Sequence, residues 1–202
     1  MGLRESYIGR FYYKILRYFV HSCMRNITVD PDKITIIGTI IAVLVPLGFY
    51  LSPIIGCILI VVSAIFDSVD GYLARSNGIE NPYGAFLDST MDRFSDFFYL
   101  LGFWIVSLRF DYNLLFGLLF FIGLLLTLVF SYTRARIEGL GEECKVGFLE
   151  RAKRVVFLII WGLFIWFIGG FWVLIWGILL YNILMAFSVI QRIRCAKRVL
   201  KK

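Results

Sequence analysis

A single histidine, His21, in 202 residues leaves little basis for nucleophile–histidine hydrolysis or a histidine-built metal site. It sits in a basic segment with no evident partner, where a solvated or hydrogen-bonded interfacial role is the ordinary one. The four cysteines, Cys23, Cys57, Cys144 and Cys195, are scattered without a CxxC pair or metal-ligand spacing. All four read as reduced thiols or packing residues. Charge is scarce too: Asp, Glu, Lys and Arg make up 17% of the chain, against 60% hydrophobic and 18% aromatic residues. The apolar residues come in runs rather than stripes, which excludes a water-soluble domain. No nucleic-acid partner is expected from the formal charge of +7, because the cations cluster beside the apolar runs.

A bilayer crossing takes about 20 apolar residues in a helix. Six stretches qualify, at about 33–51, 54–75, 84–108, 113–137, 149–168 and 171–191. Leu51-Ser52-Pro53 and Gly169-Gly170 leave room only for tight turns, so those neighbours are expected to be antiparallel hairpins. Nothing remains for a second domain. The expectation is an all-α membrane protein forming one domain over 1–202, with a six-transmembrane-helix bundle over 33–191 and a basic tail over 192–202. In 1–32, Arg4, Arg10, Lys14, Arg17 and Arg25 interleave with Ile8, Phe11, Tyr12, Ile15, Leu16 and Phe19 at helical spacing. This fits an N-terminal amphipathic helix in the headgroup layer, or one packed on the rim of the bundle.

Cation placement gives an orientation. Six Lys/Arg lie before or at the first residue of the first stretch, six run from the end of the fourth stretch to the start of the fifth, and six follow the last, whereas the loops of the other side hold only Arg109. Positive residues stay in the cytoplasm, so both termini and the 2–3 and 4–5 loops are expected there, in a multi-pass protein of the cell membrane.

The chemistry lies where acids enter the apolar runs. Asp67 and Asp70 are three apart near the end of the second stretch, and Asp88 and Asp92 are four apart near the start of the third. Each pair therefore shares a helix face. A short loop joins the two helices, so the pairs can meet at one end of the bundle. Four close carboxylates need protonation, pairing with Arg75 or Arg93, or a divalent ion. All-oxygen sites of this kind suit Mg²⁺ or Mn²⁺, above all when phosphate completes the coordination. Gly71, Ala74 and Gly84 clear space for a phosphate or nucleotide, although small residues also serve tight helix packing. Intramembrane aspartates are costly and usually mark function.

The pattern Asp67-x2-Asp70-Gly71-x2-Ala74-Arg75-x8-Gly84-x3-Asp88-x3-Asp92 resembles, without a departure, the signature of the CDP-alcohol phosphotransferase family. The resemblance implies a homodimer with a cytoplasm-facing polar cavity holding two divalent ions. It also implies Asp67, Asp70, Asp88 and Asp92 as metal ligands, with Asp92 the general base. The CDP moiety of a CDP-lipid donor would then be contacted by Asp67, Asp70, Gly71, Ala74, Arg75 and Gly84, with Thr35 lining the nucleotide pocket.

For the acceptor, Ser131-Tyr132-Thr133-Arg134-Ala135-Arg136-Ile137-Glu138-Gly139 and Gly147-Phe148-Leu149-Glu150-Arg151-Ala152-Lys153-Arg154 bring cations to the aspartates' side. Such cations suit an acceptor phosphate, or serve only topology and lipid contact. The two segments resemble those of prokaryotic phosphatidylinositol-phosphate and archaeal archaetidylinositol-phosphate synthases, departing at Ala152-Lys153 where that subfamily usually has Pro-Glu. The implied acceptor is inositol 1-phosphate, held by Arg134 and Arg151, with Arg192 or Arg194 a third candidate. Competing readings keep the chemistry with glycerol 3-phosphate, serine or another inositol derivative. More distant ones are a cation transporter, which leaves the Ala-Arg pair and spaced glycine unexplained, and a membrane prenyltransferase, which usually has more helices and another Asp spacing.

Overall fold

The computed structural model describes residues 30–201, and these form six helices joined by short connections. They are α1 (Pro31–Leu51), α2 (Pro53–Ser76), α3 (Pro82–Ser107), α4 (Asn113–Glu138), α5 (Arg151–Phe167) and α6 (Gly170–Leu200). Among the described residues there is no strand. The segment expected to lie in the headgroup layer, His21 and Cys23 fall outside the described residues, apart from the segment's last positions; 31–32 already belong to α1.

The helix starts follow from local chemistry. Asp30 accepts from the Asp32 amide at 3.1 Å ahead of Pro31, and Asn81 accepts from the Gly84 amide at 2.8 Å ahead of Pro82. Proline in the first turn forfeits no helical hydrogen bond, and Asp or Asn before it satisfies an exposed amide. Between α1 and α2 only Ser52 interrupts the helix, in an extended conformation. Between α5 and α6, Gly169 and Gly170 take φ values of +66° and +88°, a left-handed turn that glycine makes without strain.

Two differences from the expected layout have physical causes. The basic tail is not a separate segment: α6 continues through 192–200, in keeping with the helix preference of its Arg, Lys and Ala. And α1 packs extensively on both α2 and α3, which touch each other only sparingly although one short loop joins them. The remaining packing is α4 on α6 and α3, and α5 on α2 and α6.

Four helices, α1, α2, α4 and α6, are long and apolar enough to cross a membrane. The chain is a multi-pass membrane protein. α3 carries Asp88, Asp92, Arg93 and Asp96 in its first half, and α5 has 17 residues beginning with Arg151, Lys153 and Arg154. Away from those charges the core is aromatic. Phe103 stacks on Trp161 with ring centroids 4.2 Å apart and lies 4.6 Å from Phe49. Glycines admit these rings: a β-carbon on Gly56 would stand 2.3 Å from the Phe49 ring, and one on Gly177 would stand 1.9 Å from Trp161.

Candidate active site

With six helices alternating in direction, the start of α1, the ends of α2 and α4, the starts of α3 and α5 and the end of α6 gather at one end of the bundle. The aspartates converge there. Asp67, Asp70 and Asp88 each offer a carboxylate oxygen, and these oxygens lie within 4.8 Å of one another. Asp70 is buried, while Asp67 and Asp88 are partly exposed. One Asp70 oxygen accepts from the Thr35 hydroxyl and the other from the Gly71 amide, so α1 orients the carboxylate of α2. Three oxygen donors this close, two on α2 and one on α3, with Asp67 and Asp88 partly exposed, fit a divalent ion of the Mg²⁺ or Mn²⁺ kind.

Asp92 lies one turn along α3 from Asp88 and joins the group through a cation. Arg151, the first residue of α5, bridges Asp67 and Asp92, with Nη2 2.7 Å from Asp92 Oδ1. Of the expected acceptor arginines, Arg151 is thus the one in direct contact with the acids. Arg134 is exposed and pairs with Glu138 one turn on, at 2.8 Å. Arg194 is exposed on the last turns of α6. Arg192 is only 3% exposed, and its guanidinium donates to the carbonyls of Val146 and Phe130 while lying over the Phe130 ring. Its guanidinium is thus engaged by backbone carbonyls and an aromatic ring.

Arg192 belongs to a set of contacts that presses the loop 139–150 onto α6. Gln191 accepts from the Phe148 amide at 3.0 Å, and Ser188 accepts from the Leu149 amide at 2.9 Å. Cys144 and Cys195 are joined by a disulfide, with Cα atoms 6.3 Å apart. This corrects the reading of Cys144 and Cys195 as unpaired; among the described residues Cys57 is the free cysteine, and it is buried. The pairing joins positions 51 residues apart through the folding of the loop on α6, which no local spacing announces. The loop leads directly into α5, whose first residue is Arg151.

The expected nucleotide-side residues line the same end. Gly71 faces the Arg75 guanidinium, which a β-carbon there would approach to 3.2 Å, and a β-carbon on Gly84 would stand 3.2 Å from Asp32 Oδ1. Ala74 is half-buried and Arg75 exposed. Beneath them, Tyr99 donates to Ser63 Oγ and Ser63 donates to the Gly38 carbonyl, each at 2.8 Å, tying α3, α2 and α1 together. Reasoning from sequence did not single out these residues, nor Asp96, which pairs with Arg154 inside the bundle. For Asp96 the signal was present, since it continues the four-residue spacing of Asp88 and Asp92.

The family follows from comparison. A sequence model described as CDP-alcohol phosphatidyltransferase matches residues 28–190. The chain is 35% identical over 191 residues to the archaetidylinositol phosphate synthase of Methanothermobacter thermautotrophicus, covering 94% of each protein. It is 38% identical over 136 residues to the phosphatidylinositol phosphate synthase of Cutibacterium acnes, covering 63% of each. Among solved structures, it resembles Mycobacterium tuberculosis phosphatidylinositol phosphate synthase with CDP-DAG bound, at a TM-score of 0.75 and 27% identity over 94% of this chain and 95% of that one. The same enzyme in complex with manganese and citrate gives 0.74 and 26%, over 92% and 88%. The chain belongs to the CDP-alcohol phosphatidyltransferase family, whose members are transferases.

Proposed function

We propose that this enzyme transfers a phosphatidyl-type group, diacyl or archaeal ether, from a CDP-lipid to a hydroxyl of inositol 1-phosphate, with release of CMP. The observation that carries the reading is the meeting of Asp67, Asp70 and Asp88 beside Arg151, which itself spans Asp67 and Asp92. The relatives named as archaetidylinositol phosphate and phosphatidylinositol phosphate synthases support the acceptor.

In this reading Asp67, Asp70, Asp88 and Asp92 hold two divalent ions, which offset the charge of the diphosphate and make CMP a better leaving group. Thr35 keeps the Asp70 carboxylate in place. Gly71, Ala74, Arg75 and Gly84 receive the cytidine diphosphate. Asp92 takes the proton of the attacking hydroxyl. That oxygen forms a bond to the phosphorus bearing the lipid, and the bond from this phosphorus to the bridging oxygen of CMP breaks. Direct displacement is the simpler course, because the signature holds no histidine or cysteine to form a covalent intermediate. Arg151, with Arg134 and Arg194 nearby in the chain's basic segments, holds the acceptor's own phosphate. A guanidinium fork matches phosphate oxygens in a way a point charge does not.

The same reading has all six helices crossing the bilayer. α3 spans about 39 Å and α5 about 26 Å at 1.5 Å per residue. Their charges sit at the site end, where α3 bears the aspartates and α5 the arginines that meet them. Both termini and the site face the cytoplasm by the distribution of cations, and two copies associate as a homodimer.

The test is CMP release by purified protein with CDP-lipid and Mg²⁺ or Mn²⁺, offering inositol 1-phosphate, glycerol 3-phosphate and serine separately. Release is expected with inositol 1-phosphate alone, abolished by chelation and lost in Arg151→Ala. Release with only another acceptor would discard the inositol assignment and keep the displacement chemistry. No release from folded protein with either lipid type would overturn both.

A further inference from the structure

Helices α3 and α5 run the same way from the site, and three side-chain contacts join them like rungs. Arg151 meets Asp92, Arg154 meets Asp96, and Trp161 stacks on Phe103. Asp96 and Phe103 are seven residues apart on α3, as Arg154 and Trp161 are on α5. Two whole turns of each helix are therefore held in one register. The backbone of α5 packs chiefly on α2 and α6, so these rungs are what tie it to α3.

The middle rung has no part in the transfer described above. Arg154 Nη2 lies 2.5 Å from Asp96 Oδ2, and the two side chains are 2% and 4% exposed. Arg154 Nε has no hydrogen-bond partner among the described residues, so the arginine's polar anchorage rests on Asp96. A buried ion pair is a poor device for stability alone, since desolvation offsets most of the attraction and an apolar pair of similar volume often serves as well. It does fix geometry. The charges attract only in one alignment, and any slip of α5 along α3 leaves both of them unpaired in an apolar surround.

We propose that Asp96 and Arg154 are positioning residues. Their pair sets the first turn of α5 on α3 so that the guanidinium of Arg151, one turn nearer the site, stands between Asp67 and Asp92. Two consequences follow. The first rests on the proposed function: an acceptor phosphate finds Arg151 at the height of the reacting carboxylates. The second does not: a guanidinium held against Asp67 and Asp92 competes with a divalent cation for the same oxygens.

The decisive variant is Asp96→Leu/Arg154→Met, which removes both charges with little change in volume. In purified protein with wild-type thermal stability, KM for inositol 1-phosphate is expected to rise about tenfold or more, as misplacement of an orienting group by an ångström can do. KM for CDP-lipid is expected to stay within about threefold, being set by residues on α1–α3. Mn²⁺ binding, measured by electron paramagnetic resonance without substrates, is expected to tighten by about threefold or more as Arg151 loosens. Unchanged acceptor KM and Mn²⁺ binding would overturn the proposal, as would losses in both KM values and in kcat that track a fall in stability. Should the double variant not fold, Arg154→Lys keeps the charge pair and loses the planar fork, and the same split between acceptor and donor must appear in it. Should the wild type show no release with inositol 1-phosphate, the acceptor reading fails separately, and the Mn²⁺ measurement alone decides the role of the pair.

Discussion

The two ends of the bundle solve the same packing problem with opposite materials. At the far end, Phe49, Phe103 and Trp161 fill the space between α1, α3 and α5, and glycines on facing helices make room for the rings. At the near end α1 meets α2 through Thr35 and Asp70, and α3 meets α5 through Asp92, Asp96, Arg151 and Arg154. Lipid offers apolar side chains little reason to leave it, so close contact between helices comes from shape at one end and from polar pairing at the other. The difference teaches where this protein keeps its rigidity and where its reactivity. At the aromatic end the glycines facing Phe49 and Trp161 leave no room for a β-carbon; the charged end holds side chains that pair across helices.

Breaking the charged end at its reacting group is expected to have the largest effect. Asp92→Asn removes the proposed base and one ligand, and CMP release should fall about 10²- to 10⁴-fold, the usual scale for general-base loss. CDP-lipid binding should largely persist, because Asp67, Asp70 and Asp88 remain within 4.8 Å of one another. Loss of all CDP-lipid binding in a folded Asp92→Asn protein would count against the assignment of roles.

Breaking the aromatic end should separate stability from chemistry. Phe103 is fully buried, and Phe103→Ala leaves a cavity between Phe49 and Trp161. The expected loss is roughly 3 kcal/mol of stability, read as a lowered melting temperature in detergent. The fraction that stays folded should keep its KM values. A selective loss of acceptor affinity would instead show that the stack shares in aligning Arg151.

The smallest expected effect lies at the boundary between the two regions. Tyr99→Phe removes the hydrogen bond to Ser63 while Ser63 keeps the Gly38 carbonyl. Buried hydrogen bonds between membrane helices average about 0.6 kcal/mol, so stability should fall by about that much with turnover nearly unchanged. A larger drop in turnover would place the Ser63–Tyr99 link within the working part of the site.

Much of this architecture was legible from residue order because helices are local objects. Apolar runs and the three- and four-residue spacings of the aspartates act within one or two turns, and the positions shared on a helix face follow directly. The hairpin at Ser52 and the two-glycine turn were readable for the same reason. The number of crossings was harder to read from hydropathy, since α3 and α5 carry in their own sequence the charges that neutralise each other across the bundle.

What residue order could not supply was the choice of partners. Among 21 Lys and Arg residues, several were candidates to meet the acids, and only packing put Arg151 on Asp67 and Asp92 and Arg154 on Asp96. Only packing turned Arg192 toward the carbonyls of Val146 and Phe130, and only packing brought Cys144 to Cys195. Spacing along a helix determines which side chains share a face within a few ångströms. Which faces then meet depends on contacts between residues 35 to 84 positions apart, such as Thr35 with Asp70 and Asp67 with Arg151, and those exist only once the helices have packed.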